Sequence, residues 1–173
     1  ADLGDGCISF QIKALGDFTR RLPALLKPGQ AVHVEGPYGR FLLGFANRQA
    51  GQIWIAGGIG VTPFLAWLES LRGGTVPMID ADLHYCTRQG EGDPFVSRLE
   101  ALCAELPGIR LHVHAADRGE RLDAATMMRD KDPARLSEIW FCGPSGLADA
   151  LKTGLKAQFS GRFSFHQEAF EMR

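Results

Sequence analysis

The run Ala56-Gly57-Gly58-Ile59-Gly60-Val61-Thr62-Pro63 is the set of residues in this sequence best suited to holding an anion. Glycines let a diphosphate come close to the backbone. The residues after them read as the start of a helix, whose free N–H groups and dipole favour negative charge. Thr62 is expected to cap that helix and Pro63 suits its first turn. The spacing is not GxGxxG, so the ordinary Rossmann fingerprint is absent, and a tight strand-to-helix turn that binds nothing fits these residues equally well. A second turn of the same kind, Phe141-Cys142-Gly143-Pro144-Ser145, would set the Cys142 thiol at the same edge of a sheet. A lone cysteine there also reads as a small buried hydrophobe. Gly16-Asp17-Phe18-Thr19 opens a helix and either cradles another phosphate, through backbone N–H groups and the Thr19 hydroxyl, or simply caps it. The tail from Phe165 to Arg173 carries aromatics that plug the core or stack on a planar ring.

Other chemistry finds less support. His112 and His114 would share one face of a strand, but no further ligand stands at a suitable spacing, so no metal is expected. Cys7, Cys86, Cys103 and Cys142 are widely spaced with no CxxC pair, which argues against zinc, an iron–sulfur cluster or a disulfide framework. Reduced thiols in a cytoplasmic setting are the expectation. The segment Arg118 to Arg121 reads as a solvated charged turn, within reach of a 2′-phosphate. A net charge of −1 offers no electrostatic reason to bind nucleic acid or a membrane surface. The longest apolar runs fall far short of the ~20 residues of a membrane-spanning helix. The opening Ala1-Asp2-Leu3-Gly4, with no methionine, suggests a fragment of a longer chain.

The elements that would position these residues fall into two groups. Cys7 to Lys13 and Ala31 to Gly36 alternate in character and predict strands, separated by a short helical pattern from Phe18 to Lys27 and followed by the turn Gly36-Pro37-Tyr38-Gly39. The polar stretch Asn47 to Gly51 predicts a boundary, dividing residues 1–48 from 49–173. Beyond it, strands at Gln52–Ala56, Asp82–Cys86, Ile109–Ala115, Glu138–Cys142 and Arg162–Phe165 alternate with helical patterns at Pro63–Leu71, Phe95–Leu106, Leu122–Arg129 and Ser145–Gln158. That alternation predicts an α/β fold with a parallel, doubly wound sheet, and ligands at the carboxyl ends of its strands.

The order GDFT, GPYGRF, AGGIGVTP, YCTR, FCGP and a terminal FHQEAF resembles the ferredoxin–NADP reductase superfamily, most closely its ferric-reductase and NADPH-oxidase branch. The resemblance runs through nearly the whole chain. It implies a Rossmann-like nucleotide-binding sheet preceded by part of an antiparallel β-barrel flavin domain, with FAD and NADP (or NAD) as cofactors. It further implies that Gly16, Asp17, Phe18 and Thr19 hold the FAD diphosphate, and that Gly36 to Phe41 brace the two domains. Gly57, Gly58, Gly60, Val61, Thr62 and Pro63 would line the dinucleotide site, and Thr87 and Arg88 would contact the adenosine ribose or its 2′-phosphate. Cys142, Gly143 and Pro144 would sit beside the nicotinamide, with Glu168 and Phe170 at the reacting rings. Arg88, following a strand end, tilts the expectation toward NADPH.

Family members carry an R-x-Y-[ST] strand before GDFT, and nothing like it occurs between Ala1 and Lys13. The chain is therefore expected to hold only part of a flavin site, a longer parent supplying the rest. The implied activity is hydride transfer from NAD(P)H to FAD, then electron delivery to ferric iron or to a haem, possible partners including haem-bearing membrane helices of the same parent. Two other readings remain open: a reductase component serving an oxygenase or a globin, and a regulatory module that binds nucleotide without turnover.

Overall fold

The computed structural model describes residues 7–36, 39–74 and 76–169, with the backbone alone described at Ala169. Its centre is β1 (Gly51–Gly57), where Ile53, Trp54, Ile55 and Ala56 are all fully buried. A strand with both faces apolar needs cover on both sides, and parallel crossover helices supply it. β2 (Ala81–Thr87), β3 (Ile109–Ala115), β4 (Ser137–Gly143) and β5 (Phe163–Ala169) complete a five-stranded sheet in the order β3-β2-β1-β4-β5. Every pairing is parallel.

α2 (Thr62–Arg72) and α3 (Pro94–Ala104) cover one face, burying Phe64, Trp67, Leu68 and Leu99 against Trp54, Leu83, Tyr85, Trp140 and Cys142. α4 (Ala124–Met128) and α5 (Ser145–Gln158) cover the other, where Met127, Leu151 and Leu155 meet Ile53, Ile55, Ile139 and Phe141. The sheet is therefore doubly wound, and the chain changes direction along the strand order between β1 and β4. The crevice outside the carboxyl ends of those two strands is where such folds take ligands.

Two helix starts are sealed locally. Asp93 accepts from Phe95 N at 2.9 Å and is followed by Pro94 at the first position of α3, while Asp123 accepts from Thr126 N at 2.7 Å at the start of α4.

The amino-terminal region departs from expectation. Cys7–Lys13 and Ala31–Gly36 are not strands: apart from an isolated bridge at Ile8, neither joins a ladder among the described residues. Ile8, Phe10, Ile12, Val32 and Val34 are 54–63% exposed. Alternation specifies which face is apolar, but a strand also needs a neighbour for its N–H and C=O groups. The barrel element implied by these segments is thus not formed by residues 7–36 themselves. Between them, α1 (Asp17–Leu25) has no buried residue. Phe41 and Leu43, by contrast, pack into the α2 side of the sheet. At the other end β5 is longer than its pattern suggested. It runs to Ala169, because pairing with β4 continues through Cys142↔Glu168 and Gly143↔Ala169.

The expected histidine pair lies in a polar cluster on the α4 side of β2 and β3. His84 Nδ1 and His114 Nε2 are 3.0 Å apart, His112 stacks on His84 at 4.7 Å, and His112 Nε2 lies 2.9 Å from Asp82. Arg110 and Lys131 also bond Asp82. Burial raises the Asp82 pKa, but these three partners outweigh it and hold the carboxyl well below its usual range. Burial, with His112 and His114 nearby, pushes His84 down to about 3, and burial likewise lowers His114. An imidazole kept neutral by folding stabilises the protein above its unfolded pKa of ~6.5 and loses that contribution as pH falls below it, at on the order of 1 kcal/mol per pH unit for His84, with His114 acting in the same direction. The melting temperature is therefore expected to fall between pH 7 and pH 5, and His84→Phe to flatten that slope. Calorimetric melts across this range check it, and an equally steep slope in the variant would count against the assignment.

Candidate nucleotide-binding site

The site begins where β1 ends. Gly57 leads into a 3-10 turn over Gly58–Val61, which runs directly into α2. The turn lies against the matching end of β4. A Cβ on Gly57 would come within 2.6 Å of Pro144 Cδ, and one on Gly143 within 3.0 Å of Gly57 N and Cα. A Cβ on Gly60 would be driven into the Cys142 carbonyl. Three of the expected site glycines are thus required by the packing of one turn on the other. Gly58 is different: its φ of +54° is a left-handed conformation, and nothing lies within 4 Å of where its Cβ would stand. It presents open backbone to solvent at the mouth of the crevice.

Thr62 does not cap α2, as its sequence position suggested. It is the first residue of the helix, the cap position falls on Val61, and no side chain caps the end. The reason is that the 3-10 turn already carries Val61 into helical geometry, so no extended residue remains to cap. Val61 itself is buried in the core and offers only backbone. α5 likewise starts at Ser145, after Pro144, without a side-chain cap. Neither start is closed by a side chain, but at α2 the Thr62 N–H is already bonded to Ile59 O in the 3-10 turn. Both starts lie at the same end of the sheet, where a helix N-terminus favours a diphosphate.

Cys142 is fully buried at the end of β4, and Glu168 is its cross-strand neighbour on β5. Burial first, and the Glu168 carboxylate second, push the thiol up to about 12. Cys142 is thus a neutral side chain, not a nucleophile. Gly39, at φ +90°, lies against Glu168, with the carboxylate oxygens 3.5 and 3.6 Å from the position of its Cβ. Gly57, Gly58, Gly60, Val61, Thr62, Pro63, Cys142, Gly143, Pro144 and Glu168 therefore meet at one end of the sheet, while Phe170 lies outside the described residues.

Thr87 ends β2 beside this cluster, and Arg88 follows it. The Thr87 hydroxyl is engaged within the protein, donating to Asp93 Oδ2 at 2.5 Å, and Tyr85 OH donates to the same oxygen at 2.8 Å. Arg88 is exposed, and its carbonyl accepts from Asp117 N at 3.0 Å. A cleft of about 450 Å³ is formed farther along this loop, lined by Gly90, Asp93, Ser97, Glu100, Val113 and Arg118 among others, without Arg88. Asp93 and its partner Tyr85 escaped the sequence reading, although Asp93-Pro94 before an apolar run is a helix-start signal. Gly16–Thr19 is not drawn into the cluster by its hydrogen bonds. Leu15 N and Gly16 N donate to Thr19 Oγ1, which donates back to Gly16 O, so that hydroxyl serves its own turn.

The two kinds of glycine should respond differently to one methyl group. Gly60→Ala must displace the turn or the Cys142 carbonyl and is expected to cost roughly 1–3 kcal/mol, as overpacking does. Gly58→Ala carries the left-handed penalty of about 1–2 kcal/mol but meets no neighbour. The melting temperature should therefore fall further for Gly60→Ala, while dinucleotide binding should be the property Gly58→Ala affects most. A larger thermal loss at Gly58 would contradict the packing described.

No family model matches the chain. It is 34% identical over 154 residues to the haem-dependent oxidative N-demethylase beta subunit of Ectopseudomonas mendocina, covering 88% of this chain and 45% of that protein. It is 31% identical over 135 residues to the carnitine monooxygenase reductase subunit of Escherichia coli, covering 78% and 39%. The chain thus spans less than half the length of either relative. The flavohaem-like FAD/NAD-binding domain of nitric oxide dioxygenase from Vibrio cholerae superposes with a TM-score of 0.61 at 18% identity, covering 87% of this chain and 64% of that one. The relatives and structural neighbours are ferredoxin–NADP reductase-like, FAD- and NAD-binding reductases, and this chain shares the α/β fold with a parallel five-stranded sheet.

Proposed function

We propose that the chain is the nicotinamide-binding half of an FAD-dependent NAD(P)H oxidoreductase that acts as the reductase component of an oxygenase. The observation that carries the reading is the neutral, buried Cys142 paired across the strands with Glu168, directly beside the interlocked turns at Gly57–Gly60 and Gly143–Pro144. When bound, the nicotinamide and flavin supply the hydride and electron chemistry, and the protein contributes placement and electrostatics. The open backbone at Gly58 and the starts of α2 and α5 would receive the dinucleotide diphosphate. Cys142 would pack beside the nicotinamide without moving a proton, and Glu168 would hold negative charge at the ring edge, with Phe170 stacked over the flavin. Gly16–Thr19 would offer their backbone N–H groups to the FAD diphosphate.

The acceptor is where the sequence resemblance and the relatives part. The resemblance favoured ferric iron or a membrane haem. The relatives include reductase subunits of a monooxygenase and an electron-transfer component of a dioxygenase, which supports delivery to an oxygenase. Among the described residues no helix is long and apolar enough to cross a membrane.

Stopped-flow reduction of a flavin-complete form of the protein tests the assignment. Cys142→Ala should slow flavin reduction by roughly tenfold or more, on the scale of a misplaced ring, while leaving nicotinamide affinity nearly unchanged. An unchanged rate would remove Cys142 from the site. The preference for NADPH rests on the exposed Arg88 guanidinium. A charge-assisted bond is worth about 1.5–3 kcal/mol, so Arg88→Ala should weaken NADPH at least about tenfold and NADH little. Equal losses in a calorimetric titration would end the case for a 2′-phosphate contact.

A further inference from the structure

On the α2 face of the sheet the side chains of β1, β4 and β5 stand in three rows. Gln52 and Glu138 form the first, Trp54, Trp140 and His166 the second, and Ala56, Cys142 and Glu168 the third, in the register of the ladders. The segment from Gly39 to Asn47, which leads into β1, runs down these rows against the strand direction and touches each one. Gly39 lies on Glu168 in the third row. Phe41 lies in the second, stacked on Trp67 at 5.1 Å and edge-on to Trp140 at 5.2 Å. Asn47 lies in the first, its N–H donating to Glu138 Oε2 at 2.6 Å.

Glu138 is the unusual member. It is a carboxylate 6% exposed at the foot of β4. Burying such a group is costly unless its oxygens are bonded. Here they are: Gln52 Nε2 donates to Oε2 at 2.7 Å and also to Asn47 O at 2.7 Å, and His166 Nε2 lies 3.1 Å from Oε1. His166 in turn stacks on Trp140 at 4.2 Å. The buried charge therefore joins β1, β4, β5 and the segment at one point, and Phe41 repeats the grip one row higher.

Building on the function proposed above, we infer that Glu138 is a positioning residue. By holding Asn47 in register on β4 it keeps Gly39 on Glu168, and so sets the distance between the flavin-side chain before Gly39 and the nicotinamide side of the site. Glu138 stands two rows below Cys142 and Glu168, so its influence on the site is routed through the segment. Loss of its grip would let the segment slide or lift, and displacement on the order of 1 Å is enough to slow a transfer between two held rings about 100-fold.

The test uses the FAD-loaded, flavin-complete protein. Glu138→Ala should slow flavin reduction at saturating NAD(P)H roughly 10- to 100-fold, with the affinity for NADP⁺ or NAD⁺ unchanged. The charge-transfer absorbance that reports contact between flavin and nicotinamide should weaken in parallel. Glu138→Gln keeps an acceptor for Asn47 N–H and offers an amide to His166, so it should restore both. An unchanged reduction rate in Glu138→Ala, or a rate and an affinity that fall together, would overturn the proposal. If Glu138→Ala does not fold, Phe41→Leu reads the same register from the other anchor, and a normal rate there would also overturn it. Failure of either nicotinamide to reduce the flavin of the unsubstituted protein is a different result. It would remove the proposed function itself, and this inference with it.

Discussion

Two turns must fit against each other before this chain has a site. The end of β1 and the end of β4 approach so closely that Gly57, Gly60 and Gly143 have no room for a Cβ. This contact, glycine against glycine and glycine against a carbonyl, places the starts of α2 and α5 side by side and sets Cys142 beneath them. Neither turn could hold that geometry alone. Each is kept in place by the strand it ends, and those strands are fixed by a core in which Trp54, Ile55, Phe141 and Ile139 are almost wholly removed from water. Close packing of this sort tolerates little adjustment. The backbone around the two turns therefore has little room to adjust.

The two faces of the sheet do different work around that contact. On the α2 side, an aromatic group of Phe41, Trp54, Phe64, Trp67 and Trp140 packs mostly edge to face, the arrangement that suits ring quadrupoles. The chain entering β1 is pressed into this group, with the buried Glu138 below it. On the α4 side, β2 and β3 carry polar side chains where β1 and β4 carry isoleucine and phenylalanine. Asp82 there gathers Arg110, Lys131 and His112, and His84 is held neutral beside them. The apolar face positions the candidate site, and the polar cluster places the titratable groups on the opposite face.

Local patterns settled much of the domain. The β-α alternation after residue 50 and the glycine turns at Gly57–Gly60 and Gly143 follow from nearest-neighbour chemistry, and each is where its residues suggest. The aspartate caps at Asp93 and Asp123 are equally local but went unread, and the two helices start at Pro94 and Ala124 instead of Phe95 and Leu122. The strands read at 7–13 and 31–36 failed for an equally physical reason. Alternation is local, but a ladder is a property of two segments, and among the described residues these two join none beyond an isolated bridge at Ile8.

What tertiary structure alone decided is which groups share a space. Residue types and spacing determined that Cys142 ends a strand and that Glu168 lies near a terminus. Only the continued pairing of β5 with β4 makes them neighbours. The glycines could be read as ligand-binding or as tight turns, and the packing assigns most of them to the turn and leaves Gly58 facing outward. Glu138 gave no signal at all, because nothing in a sequence distinguishes a surface glutamate from a buried one. Its meaning comes from Asn47 and Gln52, five residues apart at the start of β1, and from His166 on β5, which converge on one carboxylate only when the sheet has closed around them.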